Sequence, residues 1–211
     1  MVFPSVYEMF VEDLTTVRKQ HFWDYFSGAT LNSRWTLQQI VSTCTATMAD
    51  SADGGLKIST DSGSGSPSAF LSFNDICNFN PSGFVFISNC KKGSDNNIGI
   101  KAGIGSDDGA ANPAAAVFMV EGTLATYRTL QTRNGGSETE TATTTAVSQT
   151  EFDYKLEGTG SAANLYLDGV LSATTGSNLS TTKCQPLLYI QSRSTAAVKT
   201  WNTKYLEVYN T

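Results

Sequence analysis

The stretch Glu151 to Thr175, EFDYKLEGTGSAANLYLDGVLSATT, decides the fold. Phe152, Tyr154 and Leu156 alternate with Glu151, Asp153, Lys155 and Glu157, a period of two that fits a half-buried strand and no helix. Gly158-Thr159-Gly160-Ser161 then turns the chain, and Asn164 to Leu167 reads as a second strand. Asp168-Gly169 tolerates the positive φ values of a two-residue hairpin turn and sends Val170 to Thr174 back. Three antiparallel strands follow one another as a meander.

Outward from this meander the same pattern repeats. Upstream, strands are predicted from Phe22 to Phe26, from Trp35, from Thr43 to Met48, Leu56 to Ser59 and Ala69 to Phe73. Phe84 to Ser88 is an unbroken apolar run, consistent with cover on both faces. Ile98, Ile100, Ala102 and Ile104 share one side of a strand whose other side is Gly99, Lys101 and Gly103. Val117 to Glu121 and Leu124 to Arg133 follow, and the Thr-rich run Glu138 to Ala146, with little apolar content, reads as an edge strand. Downstream come Pro186 to Ser192 and one closing strand, Trp201 to Tyr209. Many short strands between turn signals, with no helical period after residue 20, point to an all-β sandwich or barrel whose terminal strands are neighbours. Phe73, Phe84, Phe86, Phe152 and Tyr154 are assigned to its core.

Residues 1–20 differ. Val6, Phe10, Leu14 and Val17 would share one face of a short helix, with an extended arm as the alternative, and either form suits an anchoring segment. Two units are therefore expected, 1–20 as anchor and 21–211 as the β domain.

Composition narrows the function. Only 16% of the 211 residues are charged, and the balance of 14 basic and 19 acidic side chains gives a net charge of −5. Without a basic stripe, nucleic acid is not an expected partner. No window approaches the roughly 18 apolar residues of a membrane span. Cys44, Cys77, Cys90 and Cys184 lack the spacing of a zinc site and are read as free, buried thiols, although four cysteines also permit two disulfides. The opening stretch carries Glu8, Glu12 and Asp13 and does not read as a secretory leader. An extracellular-looking composition without such a leader suggests a virion location, with a secreted protein as the alternative.

FWDYFSGATLNSRWT (residues 22–36) resembles the opening of the concanavalin A-like, or laminin G-like, jelly rolls. EFDYKLEG with LYLDGVLSAT is similar to that family's late hairpin, and TWNTKYLEVYN to its closing strand. The likeness runs over residues 21–211 and implies a two-sheet antiparallel jelly-roll sandwich. The family includes lectins, glycoside hydrolases, adhesion modules and virus or phage particle proteins, so fold alone does not choose a function.

Glycosidases of this fold carry their acids as Glu-x-Asp-x-Glu on one strand, which places all three on one face. That motif is absent. Glu151-x-Asp153 is followed by Lys155, and Glu138-Thr139-Glu140 offers only two carboxylates; both are read as solvated strand faces. His21, the only histidine, is read as structural. Asp107 and Asp108, with Asp95, offer loop oxygens to calcium, although turns use the same residues. Tyr127, Arg128, Trp201 and Tyr205 are candidate glycan contacts. The expectation is thus a protein without catalytic residues or required cofactor. It would be a structural module of a virion (capsid decoration, fibre or tail accessory) that docks on other virion proteins through residues 1–20, oligomerises with its own copies and binds host glycans. A secreted lectin-like module is the alternative, and a diverged glycoside hydrolase the third reading.

Overall fold

The computed structural model describes residues 20–48, 55–63, 65–93, 97–107, 109, 112–122, 126–193 and 197–211. The predicted anchor residues Val6, Phe10, Leu14 and Val17 lie outside them. Among the described residues the chain forms sixteen strands and no helix. In order these are β1 (His21–Asp24), β2 (Thr36–Val41), β3 (Cys44–Met48), β4 (Leu56–Thr60), β5 (Ser68–Ser72), β6 (Phe84–Lys92), β7 (Ile98–Gly105) and β8 (Ala115–Gly122). They continue as β9 (Tyr127–Asn134), β10 (Ser137–Ala146), β11 (Phe152–Gly158), β12 (Ala163–Leu167), β13 (Val170–Thr175), β14 (Gln185–Ser192), β15 (Thr200–Thr203) and β16 (Leu206–Asn210).

Two antiparallel sheets result. The seven-stranded sheet runs β10-β9-β8-β7-β14-β5-β2, with the Thr-rich β10 at its edge as its composition requires. The nine-stranded sheet runs β13-β12-β11-β6-β15-β4-β3, with β16 beside β6 and β1 beside β16. This is the concanavalin A-like jelly-roll sandwich. The meander forms through an Asp168-Gly169 turn with φ of 48° and 80°, as a two-residue hairpin demands. The terminal strands pair, His21 opposite Tyr209 and Asp24 opposite Leu206.

The interior is built by alternation. Phe152, Tyr154 and Leu156 of β11 pack with Phe84 and Phe86 of β6 against Ile98, Ile100, Ala102 and Ile104 of β7. Next to this core, Asp24 explains the opening motif: its carboxylate accepts from the Phe26 amide at 2.8 Å and from Trp35 Nε1 at 3.1 Å. The indole is thereby fixed against Phe73, 4.9 Å between centroids, and Phe22, 5.7 Å. All four cysteines are free thiols, three of them buried.

The predicted single closing strand is in fact two. The break at Lys204–Tyr205 lets β15 pair with β4 while β16 pairs with β1 and β6. Buried side chains replace the lost ladder bonds. Asn89 Oδ1 accepts from the Lys204 amide at 2.6 Å, and Ser88 Oγ donates to the Tyr205 carbonyl at 2.5 Å. A sequence pattern of alternating residues cannot register such a change of partner.

Charge also enters the interior. Glu121 on β8 is fully buried, with Lys92 Nζ of β6 at 3.2 Å and Arg128 Nε of β9 at 2.5 Å. The Ser148 amide gives the carboxylate a third donor at 3.2 Å, and the Arg128 guanidinium lies 3.7 Å from the Phe152 ring centroid. Removing the anion would leave two cations out of water and unpaired, which typically costs about 3–5 kcal/mol. Glu121→Ala is therefore expected to lower the unfolding free energy by that order in urea titrations. The combined Lys92→Met, Glu121→Leu, Arg128→Met variant should recover most of it. A Glu121→Ala loss below about 1 kcal/mol would show that the cluster does not couple the sheets.

Candidate active site on the outer face of the seven-stranded sheet

The alternation that sends the β7 isoleucines inward turns Gly99, Lys101, Gly103 and Gly105 outward. Strand register then sets rows across that outer face. In one row Glu138, Arg133, Ala116 and Gly105 lie side by side. The next holds Glu140, Gln131, Phe118, Gly103, Leu187 and Ser72, and a third holds Ala142, Thr129, Val120, Lys101, Tyr189 and Phe70. The face therefore has two halves. On β10 and β9 it is polar and charged. On β8, β14 and β5, Ala116, Phe118, Val120, Leu187, Tyr189 and Phe70 form a second buried apolar cluster, with the Phe70 and Tyr189 rings 4.7 Å apart. Gly105 makes this possible, since a Cβ there would lie 2.4 Å from Leu187 Cδ1.

At the junction of the halves stands Lys101, 7% exposed, whose ammonium donates to Asn112 Oδ1 at 2.7 Å. Burial pulls its pKa down to about 8, against the opposing pull of Glu138 and Glu140. Glu140 Oε1 accepts from Gln131 Nε2 at 2.8 Å, and Glu138 is ion-paired with Arg133. Two polar atoms hidden from solvent lack hydrogen-bond partners here: Gln131 Oε1 and Arg193 Nε, whose guanidinium lies across Gly99. Unpaired buried groups cost free energy, and a polar ligand would relieve both. Two same-face carboxylates, an amine with a lowered pKa and unmet donor and acceptor atoms thus gather on one surface.

The predicted contacts fall in different places. Tyr127 is exposed on β9 and belongs to this face. Arg128 points inward to Glu121, and Trp201 is fully buried in the core, so neither has surface to offer a glycan. Tyr205 lies in the break between β15 and β16 of the other sheet, where its hydroxyl donates to Asp153 Oδ1 at 2.8 Å. Glu151, from the run ending in Lys155, is held by Lys204 at 2.9 Å and Asn89 at 2.7 Å. His21 Nε2 sits 2.9 Å from Glu207 Oε1 on the nine-stranded sheet. Asp107 accepts from the Gly109 amide at 2.7 Å, closing its own loop, while Asp95 and Asp108 lie outside the described residues. Among the described residues no three His, Cys, Asp or Glu side chains gather into a metal-holding group. A cleft of about 520 Å³ beside β1 has Phe22, Phe73 and Phe79 at its floor and no carboxylate among its lining residues. Reading the sequence overlooked Lys101 and Gln131; the signal available was a lysine on a strand otherwise made of glycine and aliphatic residues.

Comparison with known proteins bears on the fold. No family model matches the chain, and no curated protein does. Solved structures do match. A β-glucanase of Bacillus licheniformis superposes with a TM-score of 0.65 at 11% identity, covering 90% of this chain and 98% of its own. A glycoside hydrolase family 16 endo-glucanase from Bacteroides ovatus, in complex with G4G3G-2F-DNP, gives 0.68 at 11% identity over 89% and 99%. The laminarinase catalytic domain of Thermotoga maritima gives 0.68 at 12% over 92% and 98%. At these identities the shared property is the fold, a complete jelly roll of the kind built by endo-glucanases. The expectation of a non-enzymatic virion module is corrected by these likenesses, each of which is to a whole enzyme domain. No helix among the described residues is long and apolar enough to cross a membrane.

The lowered pKa of Lys101 has a stability consequence with a definite sign. Between pH 8 and the ordinary lysine value of 10.5 the unfolded chain holds the extra proton, so this residue's contribution to stability rises with pH across that window. Lys101→Met should therefore be more stable than the parent at pH 7, by up to about 3 kcal/mol. The gap should close as pH rises from 8 to 10.5. Urea titrations showing a gap independent of pH would contradict the assignment.

Proposed function

We propose that the protein is a glycoside hydrolase acting on a β-linked glucan, and that the polysaccharide lies across the outer face of the seven-stranded sheet. The observation that carries this reading is the pair Glu138 and Glu140, same-face carboxylates beside Lys101, Gln131 and Arg133. The fold shared with endo-glucanases and a laminarinase supports it. The pair departs from the Glu-x-Asp-x-Glu pattern of such enzymes: it has two members and stands on the edge strand β10.

Alternate residues of a strand are about 7 Å apart at the backbone, a scale on which two carboxyls can flank one glycosidic bond. Glu140, held by the neutral Gln131 amide, gives its proton to the leaving oxygen as the bond to the anomeric carbon breaks. Glu138, aligned by Arg133, supplies the carboxylate that attacks that carbon or takes the proton of an attacking water. Lys101 provides a nearby positive charge, and Tyr127 an exposed ring on the same face.

The test is release of reducing ends from laminarin and mixed-linkage β-glucan. Glu138→Gln and Glu140→Gln should each lower kcat by at least about 100-fold. An aryl glucoside with a good leaving group should spare Glu140→Gln and not Glu138→Gln. No release by the parent protein, or equal release by parent and variants, would overturn the reading.

A further inference from the structure

We propose that the opposite side of the molecule carries a second polysaccharide contact, an aromatic shelf on the outer face of the nine-stranded sheet formed by Trp23, Tyr25 and Tyr205. The proposal rests on the glucan-directed reading above and extends it to a second surface.

Strand β1 places Phe22 inside, and Phe26 just beyond it is also buried, while Trp23 and Tyr25 are 55% and 65% exposed. The two outward rings stand 5.5 Å apart. With Tyr205, Leu206 and Glu207 they line a cleft of about 430 Å³. Large aromatics in water leave apolar area uncovered, and two adjacent ones beside a third form a surface suited to the apolar faces of sugar rings. Trp23 faces Glu207 across the β1–β16 pair, and that row continues through Ile87 and Lys155 to Tyr166.

The charges around the rings choose the occupant. Glu207 and Asp153 border the shelf, and carboxylates accept hydrogen bonds from hydroxyl groups. The nearby cations are engaged: Lys155 sits 4.0 Å from the Tyr166 ring centroid and Lys204 pairs with Glu151. An anionic polymer would meet acids. A protein surface closing over the shelf would strip water from Glu207 and Asp153, whereas sugar hydroxyls replace that water bond for bond. A neutral, hydroxyl-rich chain fits both the rings and the acids. The Tyr205 phenol, pushed up by burial and by its bond to Asp153, stays a proton donor within this group.

The experiment is co-sedimentation of the full chain with insoluble β-1,3-glucan particles, comparing the parent with Trp23→Ala, Tyr25→Ala and the double variant. Both side chains are exposed, so thermal midpoints should stay near the parent's. Affinity for the particles should fall at least about tenfold in the double variant. Undiminished binding by the double variant overturns the shelf, as does binding that only poly-lysine or another cationic partner shows. So does a change confined to self-association in analytical ultracentrifugation. Particle binding lost with the rings in a protein that releases no sugar keeps the shelf and removes the hydrolase reading. Turnover with ring-independent binding does the reverse.

Discussion

Every strand of a two-sheet sandwich surrenders one of its sides to the interior, and that constraint governs where chemistry can reside. The apolar sides of β6 and β11 face that of β7 so completely that Leu156, Ile100 and Phe86 are fully buried. Functional side chains are left the two outer faces and the loops. On the seven-stranded sheet the outer face is unusual, because half of it is also apolar and buried. The remaining polar half concentrates Glu138, Glu140, Gln131, Arg133 and Lys101 into neighbouring rows, and the proposed chemistry follows from that concentration.

The buried Lys92–Glu121–Arg128 cluster connects this face to the opposite sheet. Arg128 lies between Tyr127 and Thr129, so the strand that turns a guanidinium into the core presents Tyr127, Thr129, Gln131 and Arg133 outward. A salt bridge buried this deeply is a weak source of net stability, because desolvation offsets much of the attraction. Its contribution is to register. A slip of β9 by one residue would turn Gln131 toward the interior between the sheets and Arg128 to the outer face, leaving Glu121 without its partner.

Much of the fold was legible. The alternation of Phe152, Tyr154 and Leu156, the Asp168-Gly169 turn and the polar run of β10 each specify a local structure that the sandwich accepts unchanged. The division of the closing strand was not legible, because it depends on Asn89 and Ser88, more than a hundred residues away in sequence. The site was read poorly for a related reason. Arg128 looks like a surface residue by type and Trp201 like an aromatic platform, yet a distant carboxylate claims the one and burial the other. Lys101 gains its character only when Gln131, Glu138 and Glu140 arrive from two other strands. Strand periodicity says which side a residue takes; it does not say which other strands lie beside it.

Of the two outer faces, the one bearing Glu138 and Glu140 is the proposed place of bond cleavage. The most direct measurement is a crystal structure of the Glu140→Gln protein soaked with a laminari-oligosaccharide. Sugar rings over the polar half of the face on β10 and β9, with one glycosidic oxygen within hydrogen-bond reach of residue 140 and a hydroxyl on Gln131 or Arg193, is the predicted result. Sugar bound only elsewhere, with the β10–β7 face untouched at saturating oligosaccharide, would contradict it.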